Sequence, residues 1–245
     1  DDIDNGPYYI CIVTSDEEGL ALSSYALDTD TGINNYYPDS VKLGIWQDSY
    51  YLSANMVDID NNGLVRTPHG AKVWALKAAD MTTCKDLNFD TVCEFDFMTH
   101  YLSEVLNYHY LVPSTYSGLA PTADTPNYFA SIKPGKFYIW EVYVDWNTFI
   151  SSFGNNLQPS YTINTDTSPI WATGSIVPQW DFPEKVAVHG ERLGTPLQYR
   201  IVDGVPALWV THTVEANPGP GTGQRWHEIR FDEQDEPLFF QTGTH

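Results

Sequence analysis

Basic side chains are scarce in this chain. Only 12 Lys and Arg stand against 32 Asp and Glu, a formal charge of −20 at pH 7 over 245 residues. Such a field repels polyanions, so no nucleic-acid partner is expected, whereas solubility and attraction for cations are favoured. There are five Arg, Arg66, Arg192, Arg200, Arg225 and Arg230. A sialidase clusters three around one carboxylate, so that activity is not expected either. Long apolar runs are also missing: pieces such as Val205 to Val210 fall far short of the roughly 18 residues that cross a bilayer, and no membrane span is expected.

Catalytic signatures are equally thin. The seven His form no His-Glu-x-x-His and no close pair along the chain, which argues against zinc. His212 and His227 could face one another on neighbouring strands, where packed, hydrogen-bonded histidines are the expectation. No Gly-x-Ser-x-Gly elbow occurs, and neither Cys84 nor Cys93 carries a nucleophile motif. Asn-x-Ser/Thr sequons are absent, and the opening Asp1-Asp2-Ile3-Asp4 has neither a basic start nor an apolar signal core. An export signal is therefore expected to be removed or to lie upstream.

Cysteine is down to three residues. Cys84 and Cys93 bracket eight others, a spacing that a hairpin closes into a disulfide, with two buried thiols as the alternative. Loop entropy makes such a bridge worth roughly 2–3 kcal/mol. It would imply an oxidising compartment, hence a secreted or cell-surface location. Cys11 is left over, either as a buried small hydrophobe or as half of a bridge to residues beyond this chain.

What the chain does have is aromatic residues and turns: 16 Tyr, 8 Trp and 11 Phe, with 17 Gly and 16 Pro spread along its length. That composition predicts many short strands. Strand-like segments recur at Tyr8 to Thr14, Ala21 to Leu27, Val41 to Trp46, Tyr50 to Val57, Ala71 to Leu76, Val92 to Phe97 and Tyr108 to Val112. They continue at Tyr128 to Ile132, Phe137 to Trp146, Leu197 to Val202, Ala207 to Val214, Arg225 to Phe231 and Pro237 to Gln241. Turn residues such as Lys133-Pro134-Gly135-Lys136 and Val202-Asp203-Gly204 separate them. Helix is expected only at Ala75 to Met81 and His100 to Leu106, and surface loops between Asn147 and Pro183 and from Glu215 to Gly223.

Gly44-Ile45-Trp46-Gln47-Asp48-Ser49-Tyr50-Tyr51-Leu52-Ser53-Ala54-Asn55-Met56 reads as one hairpin. With Pro126-Asn127-Tyr128-Phe129, Val144-Asp145-Trp146, Trp209 to Val214 and Gly223 to Arg230, it resembles a group of uncharacterised secreted bacterial β-propeller proteins. The resemblance covers most of the chain. It implies an all-β fold and a single propeller domain over residues 1–245, as a partial ring of about four blades or a small five-bladed ring. A β-sandwich is the alternative. Four blades alone would leave sheet faces bare, built from Ile10, Ile12 and Val13 at one end and Ile229, Phe231, Leu238 and Phe239 at the other. Further residues, a second chain or further copies would then complete the ring.

Two candidate sites follow. Asp58-Ile59-Asp60-Asn61-Asn62-Gly63 places oxygen ligands at alternate positions before a Gly, the first half of a calcium loop, so calcium is expected at Asp58, Asp60 and Asn62, or else a plain Asx-rich turn. Position 12 is His69 instead of the usual Glu. Trp46, Tyr50, Trp140, Trp209 and Trp226, placed by the resemblance on successive blades, are candidate sugar contacts, with packing between blades as the competing role. Glu141 and Asp145 lie on one face of a strand about 13 Å apart, too far for the carboxyl pair of a glycosidase, and are read as structural. The function expected is an extracellular, non-catalytic protein binding a glycan or protein surface; the alternative is a glycoside hydrolase or lyase with its carboxylates in loops.

Overall fold

The structure, a computed structural model, describes residues 7–15, 18–19, 21–29, 36–59, 65–83, 97–103, 108–165, 176–179, 182–215 and 221–245. Strands dominate it, and they assemble into sheets of two, two, four and nine strands. The all-β expectation holds at that level. Among the described strands no sheet closes on itself, and neither the blades of a propeller nor the paired sheets of a sandwich are established by this topology. Contacts divide the chain into two compact units, Asp1–Leu111 with Val144–Ser151, and Val112–Tyr143 with Ser152–His245.

In the first unit, β1 (Tyr9–Ser15) and β2 (Ala21–Asp28) form a hairpin, and β3 (Tyr37–Ile45), β4 (Ser49–Ile59), β5 (Val65–Lys77) and β6 (Phe97–Ser103) form an antiparallel sheet in chain order. The hairpin read from the motif is the β3–β4 pair, closed where the Trp46 N–H donates to the Ser49 carbonyl at 3.0 Å. Leu52, Ala54 and Met56 of β4 and Trp74 and Leu76 of β5 form one buried cluster with Ile10 and Leu27 of the hairpin and Met81 of α1 (Ala78–Thr83). Ile10 is therefore already covered, which removes part of the bare face expected there.

Three expectations are corrected. Cys11 is exposed, because the alternation of β1 turns Ile10 inward and its neighbour outward. The helix begins only at Ala78, since Ala75, Leu76 and Lys77 remain paired with β4. His100 to Ser103 are strand, paired with Val73 to Gly70, because cross-strand pairing outweighs the weak local helix preference. Cys84, Cys93, Asp60 and Asn62 lie outside the described residues.

The second unit is built on β7 (Val112–Tyr116), β8 (Asn127–Lys133), β9 (Lys136–Asp145), β10 (Ile150–Phe153) and β11 (Tyr161–Asn164), then β14 (Leu197–Val202), β15 (Val205–Glu215), β16 (Thr222–Phe231) and β17 (Pro237–Thr244). The nine strands run β10-β9-β8-β7-β14-β15-β16-β17, with β11 also on β9. The short β12 (Ile176–Gln179) and β13 (Phe182–Ala187) pair separately. Among its described residues, the stretch expected to be loop between Asn147 and Pro183 thus holds three short strands and the start of a fourth. Asp203 and Gly204, both at positive φ, make the two-residue turn from β14 to β15.

One parallel pair, β7 with β14, joins the two halves of the sheet. Pro113 has no N–H, so the β7–β8 ladder ends there, and side chains take over: Ser114 accepts the Tyr128 N–H at its hydroxyl and the Asn127 amide at its carbonyl, each at 3.0 Å. The sheet curls, and its inner face packs on itself. Phe137 of β9 lies 5.7 Å from Phe239 of β17, and Tyr128 of β8 lies 5.2 Å from Phe231 of β16. Ile229 is buried within this core, so it too belongs to no bare face.

Candidate functional site

On the outer face of the second unit, register brings two of the expected tryptophans together. β15 and β16 pair Trp209 with Glu228 and Thr211 with Trp226, making the indoles diagonal neighbours. Their rings are 24° from parallel with centroids 6.0 Å apart. β17 sets Gln241 beside Glu228 and Gly243 beside Trp226. A Cβ on Gly243 would stand 2.7 Å from Trp226 Nε1, so only glycine lets that ring lie down across the strand.

Glu228 is fully buried beside them, at 0% exposure. A buried carboxylate is tolerated only when paired and hydrogen-bonded. Its Oε1 accepts Arg230 Nε at 2.6 Å, and its Oε2 accepts the Gln241 amide. The Arg230 guanidinium lies 3.7 Å from the centroid of the Phe240 ring. The result is an apolar indole surface bordered by fixed polar groups, an arrangement suited to a ligand with one apolar face and polar edges.

The inner face carries different chemistry. His212 and His227 are buried and stacked, 9° from parallel, with their Nε2 atoms 3.2 Å apart, as hydrogen-bonded histidines. Thr242 donates to the Trp226 carbonyl at 2.9 Å and so receives His227 Nδ1–H at 3.0 Å. That assigns His227 Nε2 as the acceptor of His212 Nε2–H. Burial, then Arg225, lowers the His212 pKa to about 4; burial, then His212 and Arg225, lowers that of His227 to about 3. Both are neutral at pH 7.

Elsewhere on this inner face, β8 and β9 pair Tyr128 with Glu141, and the Tyr161 hydroxyl donates to Glu141 Oε1 at 3.3 Å. Burial raises the Glu141 pKa, Asp235 and Glu236 of the β16–β17 turn raise it further, and the Tyr161 bond opposes them. Tyr161 is itself pushed up to about 12 by burial and by Glu141. No periodicity marks this grouping in the sequence. The signal was the Pro134-Gly135 turn, which fixes the β8–β9 register and with it the Tyr128–Glu141 pair. Asp145 instead accepts the Thr148 hydroxyl at 2.7 Å and the Asn147 N–H at 2.9 Å, a local turn.

The remaining candidates are dispersed. Trp46 is buried in the first unit, and Tyr50 packs there against the core cluster. Trp140, at 0% exposure, donates to the Leu157 carbonyl at 3.1 Å and lies within 6.1 Å of Phe153. Asp58 Oδ2 lies 2.7 Å from His69 Nε2, and the His69 ring stacks on Tyr36. The residue at position 12 of the candidate calcium loop therefore engages position 1 directly. Among the described residues no group of three or more His, Cys, Asp or Glu is placed to hold a metal ion, and no helix is long and apolar enough to cross a membrane.

No protein-family model matches the chain, and neither a curated protein nor a solved structure matches it.

Proposed function

We propose that the chain is an extracellular, non-catalytic binding protein whose second unit holds a neutral glycan on Trp209 and Trp226. The observation that carries this reading is the near-parallel indole pair, 6.0 Å between centroids, beside the buried Glu228 and its partners Arg230 and Gln241. A pyranose ring lays its C–H face on the indoles, while its hydroxyls meet the N–H groups of Arg230 and Gln241 that Glu228 leaves unused. The charge of −20 favours neutral glycans over acidic ones.

The acidic composition and the Cys84–Cys93 spacing support an extracellular setting. The four strands of β3 to β6 match the strand count of one propeller blade, the support for a ring completed by further residues, a second chain or further copies. The test is a glycan array probed with the chain and with Trp226→Ala. Retention on neutral glycans that the variant loses is the expected result. Equal retention by both would remove the platform from the account, and release of reducing ends, lost in Glu141→Gln, would replace binding by polysaccharide cleavage.

A further inference from the structure

Glu141, Tyr143 and Tyr161 stand together on the inner face of the second unit, away from the indole platform, and we propose that they recognise a methylated ammonium group of the choline type. This site is independent of the glycan reading. Tyr143 follows Glu141 by two residues on β9 and shares its face, while Tyr161 reaches Glu141 through its hydroxyl at 3.3 Å. Tyr128, opposite Glu141, is committed to the core through Phe231 and Tyr199 and forms the floor. Tyr143 is 48% exposed and Tyr161 half-buried, and no ring among the described residues packs on either. The exposed Tyr143 ring and the Tyr161 ring thus border one carboxylate, the second through its hydroxyl.

The charge around them has one sign. Glu141, Asp235 and Glu236 pair with no cation among the described residues, yet lie close enough to affect one another. Asp232 holds the turn that carries the last two, accepting the N–H of Gln234 at 2.9 Å and of Glu236 at 3.0 Å. A calcium ion requires oxygens converging at about 2.3–2.6 Å, and no such group occurs among the described residues. A simple ammonium is strongly hydrated and stays in water. A methylated ammonium carries diffuse charge, loses its water readily and sits on aromatic faces within about 6 Å of the ring centroid, with a carboxylate nearby. Of these cations it fits the site best.

Isothermal titration of the whole chain at pH 8 with tetramethylammonium chloride, choline chloride and ammonium chloride tests the proposal. Saturable binding is expected for the first two and none for ammonium. Glu141→Gln and Tyr143→Ala should each weaken it about tenfold, a loss within the range of a partly desolvated cation–π contact. Tyr161→Phe keeps the ring and should bind within about threefold of the parent, which separates loss of the site from loss of the fold. Phosphocholine should bind more weakly than choline, because its phosphate meets Asp235 and Glu236. Absence of saturable binding, equal affinity for ammonium, or binding unchanged in both Glu141→Gln and Tyr143→Ala would overturn the proposal.

Discussion

Replacing His227 by Gln should flatten the acid sensitivity of the second unit. Both imidazoles of the His212–His227 stack are held neutral, with pKa values of about 4 and about 3, against about 6.5 in an unfolded chain. Their folded values are depressed, so below pH 6.5 the unfolded state takes up protons that the folded state refuses. Stability is then lost as pH falls from 6.5 towards the folded values. At pH 4.5 the mismatch spans about two pH units for each ring, which at 1.36 kcal/mol per unit makes the pair worth on the order of 5 kcal/mol. Between pH 6 and 5 the two histidines should contribute roughly 2 kcal/mol per pH unit to the slope of unfolding free energy. Gln at 227 can still hydrogen-bond to His212 and Thr242, but it takes no proton, so the slope should fall by about half, roughly 1 kcal/mol per pH unit. Urea unfolding followed by near-ultraviolet circular dichroism at several pH values measures it. Identical slopes for parent and variant would refute the reasoning.

Three further outcomes are expected. Glu141 has a raised pKa in the fold, so its stabilising contribution is present below the ordinary carboxylate pKa and lost as pH rises through the raised value. Glu141→Gln should therefore raise the melting temperature at pH 7.5 with the gain vanishing near pH 4, and a gain independent of pH would contradict this. Gly243→Ala drives a Cβ into the Trp226 indole, a clash expected to cost about 1–3 kcal/mol and to shift the tryptophan emission; an unchanged spectrum and stability would show that the ring does not lie on β17. Calcium at Asp58, Asp60 and Asn62 requires a melting temperature that falls with chelator and an Asp60→Ala variant that no longer responds. Identical melts would leave the plain Asx-rich turn as the reading of that loop.

Local signals made much of the fold legible. Asp203-Gly204 and Pro134-Gly135 fixed two hairpins, and the alternation of Leu197 to Val202 matched β14 residue for residue. Where pairing is set by distant partners, the sequence was silent: His100 joins β6 because Val73 lies opposite, and β7 runs on from Val112 through Pro113 because β14 pairs with it in parallel. The division into two units carried no compositional signal. At the site, Trp209 and Trp226 were identified as aromatic strand residues. Their meeting depends on the β15–β16 register, which no short turn dictates, since six residues separate Glu215 from Thr222 across the connection. Arg230 and Gln241 join the site because Glu228 is buried between them, a burial that no local sequence pattern marks.

The indole N–H resonances of Trp209 and Trp226 report on the proposed platform most directly. Titration of the isotope-labelled chain with a neutral oligosaccharide retained on the array should move both resonances in a saturable way, leave that of Trp140 in place, and fail in Trp226→Ala. Binding of the oligosaccharide with both resonances unmoved would contradict the platform as the sugar site.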